Sequence, residues 1–289
     1  MNNSLKLPAP AKLNLFLHVV GQRPDGYHLI QSVFQLIDLE DTVLMRTRDD
    51  GEIVRLNPLP NVPADSDLIV RAARLLKKIS GTSQGADLDL IKKIPMGAGL
   101  GGGSSDAAST LIGLNHLWKT HLNKAELAKI GLQLGADIPF FIQGENAFVE
   151  GIGEKIQGLE LPERNYFLIF PHIGIPTVEI FQDPLLTRNK TSITITHFAA
   201  LQKDEQLMMN DLESVAVRKY PEVKLAINWL SNNIPSALPR MSGSGSCVFT
   251  PIQDNLKIEN IVAEFPNRWT KFVVRSLSQH PAYNFVSSQ

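Results

Sequence analysis

The sequence predicts an α+β protein, because its strand-like and helix-like segments mix without a regular βαβ alternation. Three observations lead to this class. Residues 11–20 alternate with the period of a strand, and residues 66–79 repeat apolar side chains with the period of a helix. A glycine-rich segment at residues 95–106 stands between an alternating apolar stretch and an alanine-rich helical run.

The first strand is predicted at residues 11–20, where one face is apolar and the other also carries polar groups. The apolar face holds Ala11, Leu13, Leu15, Leu17 and Val19, and the mixed face holds Lys12, Asn14, Phe16 and His18. Turn residues follow directly in the sequence GQRPDG. Further strands are predicted at Leu29–Leu39 and Thr42–Arg46, so we expect the chain to start with antiparallel strands.

A first helix is predicted to begin at Ser66, with Asp67 in its first turn. A strand at Ala86–Ile94 then leads to the glycine-rich segment. The helix that follows this segment is expected to end near Trp118.

Asn123 and Glu126 have the spacing of a capping box, which predicts a second helix that Gly135 ends. Both helices are expected to pack on the sheet. The second half of the chain is predicted to contain strands at 166–170, 247–250 and 271–277 and helices at about 205–220, 222–232 and 255–264.

The length of 289 residues is near that of two domains. A boundary near residue 160 gives an N-terminal domain at 1–160 and a C-terminal domain at 161–289.

Composition argues against several classes of partner. The net charge is −1 and the basic residues are scattered, which disfavours a nucleic-acid partner. The apolar runs are shorter than the ~18 residues that a membrane span needs. Cys247 is the single cysteine, so it cannot form an internal disulfide, and we interpret it as a free core thiol. We therefore expect a soluble, cytoplasmic monomer or weak homodimer.

Five glycines, two serines and one aspartate occupy Pro95–Asp106 and indicate a loop that binds phosphate at a helix N-terminus. The P-loop pattern fails, because Gly103 stands where its lysine should be. Gly97, Gly99 and Gly102 satisfy the dinucleotide pattern GxGxxG, although Pro95 and Met96 separate them from the strand. A mobile loop without a ligand is the third alternative.

Four segments in order resemble the GHMP kinases, the superfamily of galactokinase, homoserine kinase and mevalonate kinase. They are PAKLNLFLHVVGQRPDGYH at 10–28, PMGAGLGGGSSDAA at 95–108, GADIPFF at 135–141 and MSGSGSCVF at 241–249. The resemblance implies a two-domain GHMP kinase fold. Its N-terminal ATP-binding domain would resemble ribosomal protein S5 domain 2, and its C-terminal substrate domain would be ferredoxin-like.

The resemblance implies that ATP and Mg²⁺ are the cofactors. Ser104 or Ser105 would offer a hydroxyl to phosphate or Mg²⁺, although either could instead cap the helix. Asp106 is interpreted first as structural, through its interaction with the helix dipole. The residues expected to bind ATP are Pro95, Met96, Gly97, Ala98, Gly99, Leu100, Gly101, Gly102, Gly103, Ser104 and Ser105.

Lys12 and Asp137 are the candidate catalytic residues. From sequence alone, Lys12 is either an edge-strand residue that blocks aggregation or a functional cation. Asp137 is set among apolar neighbours, which suits either a turn or capping role or a carboxylate tuned for proton abstraction. The resemblance implies that Asp137 is the catalytic base and that Lys12 orients it and stabilises the transferred phosphoryl group.

The resemblance implies an acceptor site at Asn14, Tyr27, His28, Thr177 and Phe181. The resemblance implies that Tyr27 and Phe181 enclose a cytosine and that His28 recognises its polar edge. It also implies that the backbone at Gly243 and Gly245 closes against the phosphate loop, although a strand-entry turn is the alternative.

The resemblance implies that the function is ATP-dependent phosphorylation of an alcohol on a cytidine diphosphate-linked polyol, in non-mevalonate isoprenoid biosynthesis. Three alternatives stay open. They are another GHMP small-molecule kinase of the homoserine or mevalonate type, an NAD-dependent oxidoreductase, and a non-enzymatic RNA-binding module.

Overall fold

Ten strands and eight helices are found in the computed structural model, which describes residues 4–60, 62–196, 198, 208–262 and 265–282. The strands are β1 (Ser4–Gln22), β2 (His28–Arg48), β3 (Ile53–Arg55), β4 (Gly85–Ile91), β5 (Ala147–Gly151), β6 (Lys155–Gly158), β7 (Asn165–Phe170), β8 (Arg240–Met241), β9 (Val248–Ile252) and β10 (Thr270–Arg275). The helices are α1 (Leu68–Ser80), α2 (Gly102–Leu117), α3 (Lys124–Leu132), α4 (Ile138–Gln143), α5 (Thr177–Phe181), α6 (Glu213–Lys219), α7 (Pro221–Asn233) and α8 (Ile258–Val262).

Two sheets form the framework, which confirms the predicted α+β class. The larger has the order β3-β4-β2-β5-β6 with β1 paired to β2, and the smaller has the order β10-β7-β9-β8. All of these pairings are antiparallel except β3 with β4. Apolar side chains of both sheets share one core, and helices α1–α4 and α6–α7 pack with the larger and smaller sheet in two further cores.

Strand β1 departs from the predicted strict alternation. Asn14 pairs with Phe34 whereas Leu17 pairs with Ser32, so a bulge adds one residue to β1 between these two pairs. Leu15 and Phe16 consequently enter the core between the sheets, while Leu17 joins the core of the second half. The predicted single apolar face from residue 11 to 19 is therefore wrong beyond the bulge, because one extra residue reverses the faces.

Several local predictions are confirmed and others are corrected at their ends. The capping box of Asn123 and Glu126 is present at the start of α3, which ends at Leu132, before Gly135. Asp67 is the N-cap of α1 and accepts a hydrogen bond from the Ile69 amide, so it precedes the first turn. Helix α6 begins at residue 213 rather than near 205, and residues 205–207 of that prediction lie outside the described part of the chain.

The two sheets are made from different halves of the chain, residues 4–158 and 165–275, and the boundary near residue 160 stays a prediction. Strand β1 also bonds directly to the second half of the chain, since the Leu17 amide donates to the Met209 carbonyl at 3.0 Å and the Asp211 amide donates to the Leu17 carbonyl at 2.8 Å. Among the described helices, none is long and apolar enough to cross a membrane.

Candidate active site

A cavity of about 940 Å³ lies between the two halves of the chain. It is lined by the glycine-rich segment, by β1, by the start of β2 and by the N-terminal ends of α4 and α5. The structure brings all predicted site residues to this cavity except Ser105. Those that line it are Lys12, Asn14, Tyr27, His28, Asp137, Thr177, Phe181 and every residue from Pro95 to Ser104.

The carbonyl groups of the glycine-rich loop accept hydrogen bonds from other parts of the protein. The carbonyls of Gly97, Ala98 and Leu100 accept from the amides of Ile175, Cys247 and Lys12 at 3.3, 3.1 and 2.9 Å. The Gly99 carbonyl accepts from the hydroxyl of Ser242 at 2.9 Å. Four consecutive carbonyls are therefore occupied, three of them by donors from the second half of the chain.

The amide groups of the same loop are left available. Within the described residues, no group accepts a hydrogen bond from the backbone N–H groups of Gly97 to Ser104. Helix α2 begins at Gly102 after Gly101, whose φ of 72° is left-handed, and its N-terminal end adds partial positive charge. A row of free amides at a helix N-terminus is a site for an anion such as phosphate.

The second glycine segment closes directly on this loop. A Cβ at Gly99, whose φ is 73°, would overlap the Ser242 carbonyl oxygen. A Cβ at Gly243 would lie 3.1 Å from the Gly99 carbonyl oxygen and 3.2 Å from Asn14 Oδ1. These positions require glycine because two backbones meet there, so the structure favours the close approach over an ordinary strand-entry turn.

Lys12 is buried, with 3% of its surface exposed, and contacts both loop and carboxylate. Its Nζ lies 3.7 Å from Asp137 Oδ2, and it also donates to Asn14 Oδ1. The interpretation of Lys12 as a solvent-facing edge residue is wrong, because the glycine loop covers this edge of β1. Burial lowers the pKa of Lys12, and the negative charge of Asp137 opposes that effect.

Asp137 precedes α4 but makes no capping hydrogen bond with its side chain, so the capping interpretation is not supported. Its side chain is 32% exposed to the cavity, although Ile138, Pro139, Phe140 and Phe141 beside it are buried. The apolar neighbours in the sequence therefore anchor the helix rather than enclose the carboxylate. Asp137 faces the cavity with Lys12 as its ion-pair partner.

Sequence reasoning missed the ion cluster of Lys92, Asp41 and Asp106 beside the loop. Lys92 Nζ lies 2.8 Å from Asp106 Oδ2 and also contacts Asp41, which is fully buried. Asp41 Oδ1 additionally accepts from the Ile94 amide at 2.8 Å. Burial raises the pKa of Asp106 to about 7. The predicted first-turn interaction of Asp106 with the helix dipole is therefore wrong, because Asp106 lies beyond the first turn of α2 and pairs with Lys92 at the lining of the cavity.

The two serines of the loop differ in position. The N-cap of α2 is Gly101 and no side chain makes a capping hydrogen bond, so neither serine caps this helix. Ser104 lines the cavity, whereas the Ser105 hydroxyl is buried without a partner among the described residues. Ser104 is thus the serine whose hydroxyl can meet a ligand of the cavity.

At the other end of the cavity, the rings of His28 and Phe181 pack with centroids 5.0 Å apart, while Tyr27 is 60% exposed. The hydroxyl of Thr177 lies 2.8 Å from that of Ser244. His28 Nε2 accepts from the Nε of Arg188 at 2.9 Å. Arg188 was not predicted, because 160 residues separate it from His28 and no motif marks it.

The geometry fits what comparisons with known proteins find. The family "GHMP kinases N terminal domain" matches residues 67–145, and "GHMP kinases C terminal" matches residues 196–271. The 4-diphosphocytidyl-2-C-methyl-D-erythritol kinase of Polynucleobacter asymbioticus is 56% identical over 99% of this chain and 97% of its own length. The chain belongs to the 4-diphosphocytidyl-2-C-methyl-D-erythritol kinases, within the GHMP kinase family. It is a small-molecule kinase.

Further relatives agree with this assignment. The kinase of the same name from Azoarcus sp. is 51% identical, with 96% of each chain covered. A crystal structure of 4-(cytidine 5'-diphospho)-2C-methyl-D-erythritol kinase matches with a TM-score of 0.79 and a sequence identity of 30%. The match covers 94% of this chain and 99% of the chain in the crystal structure. A mevalonate kinase shares the fold, with a TM-score of 0.68. The match covers 95% of this chain and 100% of the mevalonate kinase chain, at 15% identity. The two-domain GHMP kinase fold predicted from the motifs is confirmed.

Proposed function

We propose that this kinase transfers the γ-phosphoryl group of ATP to the 2-hydroxyl of 4-diphosphocytidyl-2-C-methyl-D-erythritol, giving the 2-phosphate and ADP in non-mevalonate isoprenoid biosynthesis. The observation that carries the proposal is the row of free amides from Gly97 to Ser104, opposite the Lys12–Asp137 pair in one cavity. The names of relatives about 50% identical over nearly the whole chain support the acceptor.

ATP would be held by the loop residues 95–105, with its phosphates against the free amides and the N-terminal end of α2. Mg²⁺ would arrive with the nucleotide, where it neutralises phosphate charge. Among the described residues no cluster of three or more His, Cys, Asp or Glu side chains could hold a metal ion alone. The Ser104 hydroxyl, a hard oxygen ligand in the cavity, would contact Mg²⁺ or a phosphate oxygen.

The phosphoryl transfer needs a base, an in-line geometry and positive charge. Asp137 would take the proton of the acceptor hydroxyl, whose oxygen attacks the γ-phosphorus as the bond to the bridging oxygen of ADP breaks. Lys12 would orient Asp137 and stabilise the transferred group, because its ammonium lies 3.7 Å from Oδ2 and is withdrawn from water. No lysine of the P-loop kind is required in this arrangement.

The acceptor would lie between the Lys12–Asp137 pair and the aromatic end of the cavity. Asn14 and Thr177 would contact the polyol and diphosphate region, Tyr27 and Phe181 would stack on cytosine, and His28 would bind the edge of the base. The exposed Tyr27 ring suits a side chain that gains contacts when a base arrives. We further infer a cytoplasmic monomer or weak homodimer without a nucleic-acid partner, since the charges are scattered and nearly balanced.

The proposal is tested by ADP release from ATP with and without the cytidylyl acceptor. We expect release only with the acceptor, and an Asp137→Asn variant should lose about 10²–10⁴ in turnover, the usual contribution of a general base, while ATP binding is retained. Asp65→Asn is the control, because this carboxylate is 86% exposed and, within the described part of the chain, pairs only with Arg74. ADP release that is independent of the acceptor, or near-normal turnover of Asp137→Asn, would contradict the proposal.

A further inference from the structure

Arg188 contacts the imidazole of His28, one of the predicted base-binding residues. Its Nε donates to His28 Nε2 at 2.9 Å. A guanidinium donates and never accepts, so Nε2 must be the ring nitrogen that carries no proton. In the neutral imidazole the proton then lies on Nδ1, which makes no hydrogen bond with the described residues.

The other guanidinium nitrogens hold Arg188 in this position. Nη1 donates to the Leu186 carbonyl at 3.0 Å, and Nη2 donates to the carbonyls of Phe181 and Asp183 at 2.9 and 2.8 Å. Phe181 ends α5, where carbonyl groups lack helical partners, so Arg188 also closes the end of this helix. One side chain therefore fixes both the imidazole and the helix that carries Phe181.

His28 is kept neutral in this environment. Burial lowers the pKa of His28, and the positive charge of Arg188 lowers it further. Because a second proton would have to enter at Nε2, it would also break the hydrogen bond from Arg188. The ring therefore offers a single N–H donor, at Nδ1, to a ligand of the cavity that His28 lines.

We propose that Arg188 is a positioning residue that makes the site select cytosine over uracil, by holding His28 as a donor at Nδ1. The inference rests on the proposed cytidine-linked substrate. N3 of cytosine is an acceptor and pairs with an N–H donor, whereas N3 of uracil carries a proton. Two facing N–H groups would leave both without a partner, which is how a site that reads a polar group rejects an analogue.

Arg188→Met tests this role, because methionine keeps an unbranched side chain as far as the position of Nε and removes every donor. Arg218→Met is the matched control, since Arg218 pairs with the carboxylate of Asp183 at 2.6 Å and binds the same segment away from His28. Two quantities are measured. One is the ¹⁵N spectrum of the histidines in ligand-free protein, with His28→Gln to assign the signal. The other is the affinity for cytidine and uridine 5′-diphosphate by calorimetry.

In wild-type protein and Arg218→Met we expect a His28 protonated at Nδ1 and cytidine diphosphate bound at least about tenfold tighter than uridine diphosphate. In Arg188→Met we expect a mixture of tautomers and a preference reduced by about tenfold. A proton on Nε2 in the wild-type spectrum would overturn the inference. Equal weakening of both diphosphates in Arg188→Met would also overturn it, because it would indicate a structural role alone.

The spectrum separates this inference from the proposed function. If wild-type His28 has the expected tautomer and the protein binds neither diphosphate, then the cytidine-linked substrate fails and the selectivity proposed here fails with it. If cytidine diphosphate binds and uridine diphosphate binds equally well, the proposed function stands and the role of Arg188 in selectivity is refuted.

Discussion

Replacing Gly99 with alanine tests the meeting of the two glycine segments. Gly99 has a φ of 73°, and a Cβ there would overlap the Ser242 carbonyl oxygen. The left-handed backbone alone costs alanine about 1–2 kcal/mol. The overlap adds about 1–3 kcal/mol, because the segments must separate and the hydrogen bond from the Ser242 hydroxyl to the Gly99 carbonyl is lost.

Gly81→Ala isolates the second contribution. Gly81 has a φ of 70°, nearly that of Gly99, but a Cβ there would meet nothing within 4 Å. We expect urea denaturation to show that Gly99→Ala destabilises the protein by at least about 1 kcal/mol more than Gly81→Ala. The KM for ATP should rise only in Gly99→Ala, since only that change moves the loop. Equal destabilisation and an unchanged KM for ATP in both variants would refute the reasoning.

Three further predictions concern buried titratable groups. The pKa of His280 is lowered from 6.5 to about 4 by burial and then by Lys124, so the unfolded chain binds this proton first and stability should fall as pH drops from 6.5 to 4. His280→Asn should flatten that part of a plot of unfolding free energy against pH. The pKa of Asp106 is raised from 3.8 to about 7, so the stability of the wild type should fall as pH rises from 4 to 7. Over that range the unfolding free energy of Asp106→Asn should increase by about 1 kcal/mol or more relative to that of the wild type, measured the same way. The Cys247 thiol, fully buried with a pKa raised by burial, should react with a disulfide reagent only after urea unfolds the protein; rapid labelling of the native protein would contradict this.

Features that depend on near neighbours in the chain could be predicted from the sequence. The capping box of Asn123 and Glu126 involves residues three positions apart, and the loop between a strand and α2 follows from its glycines. The cavity residues were predicted because the resemblance supplied their grouping. Composition and periodicity do not by themselves bring Lys12 to Asp137, 125 positions later.

The predictions that failed depend on contacts between distant parts of the chain. The bulge in β1 lets one strand serve two cores, which no pattern of alternation within residues 11–20 reveals. Lys92 meets Asp41 from 51 positions away, and Arg188 meets His28 from 160. Such polar contacts join residues that lie far apart in the sequence, so single-sequence reasoning assigned Asp106 to the helix dipole and overlooked Arg188.

The orientation of the glycine loop's carbonyl groups depends on the second half of the chain. A fragment that ends at residue 160 would contain every glycine of the loop but none of the three donors, at Ile175, Ser242 and Cys247, that draw its carbonyls outward. Freed carbonyl oxygens would be able to rotate toward the nucleotide and repel it. The first half of the chain thus carries the phosphate-binding loop, while the second half holds the loop's carbonyl oxygens away from the site, so that its amide groups attract the anion.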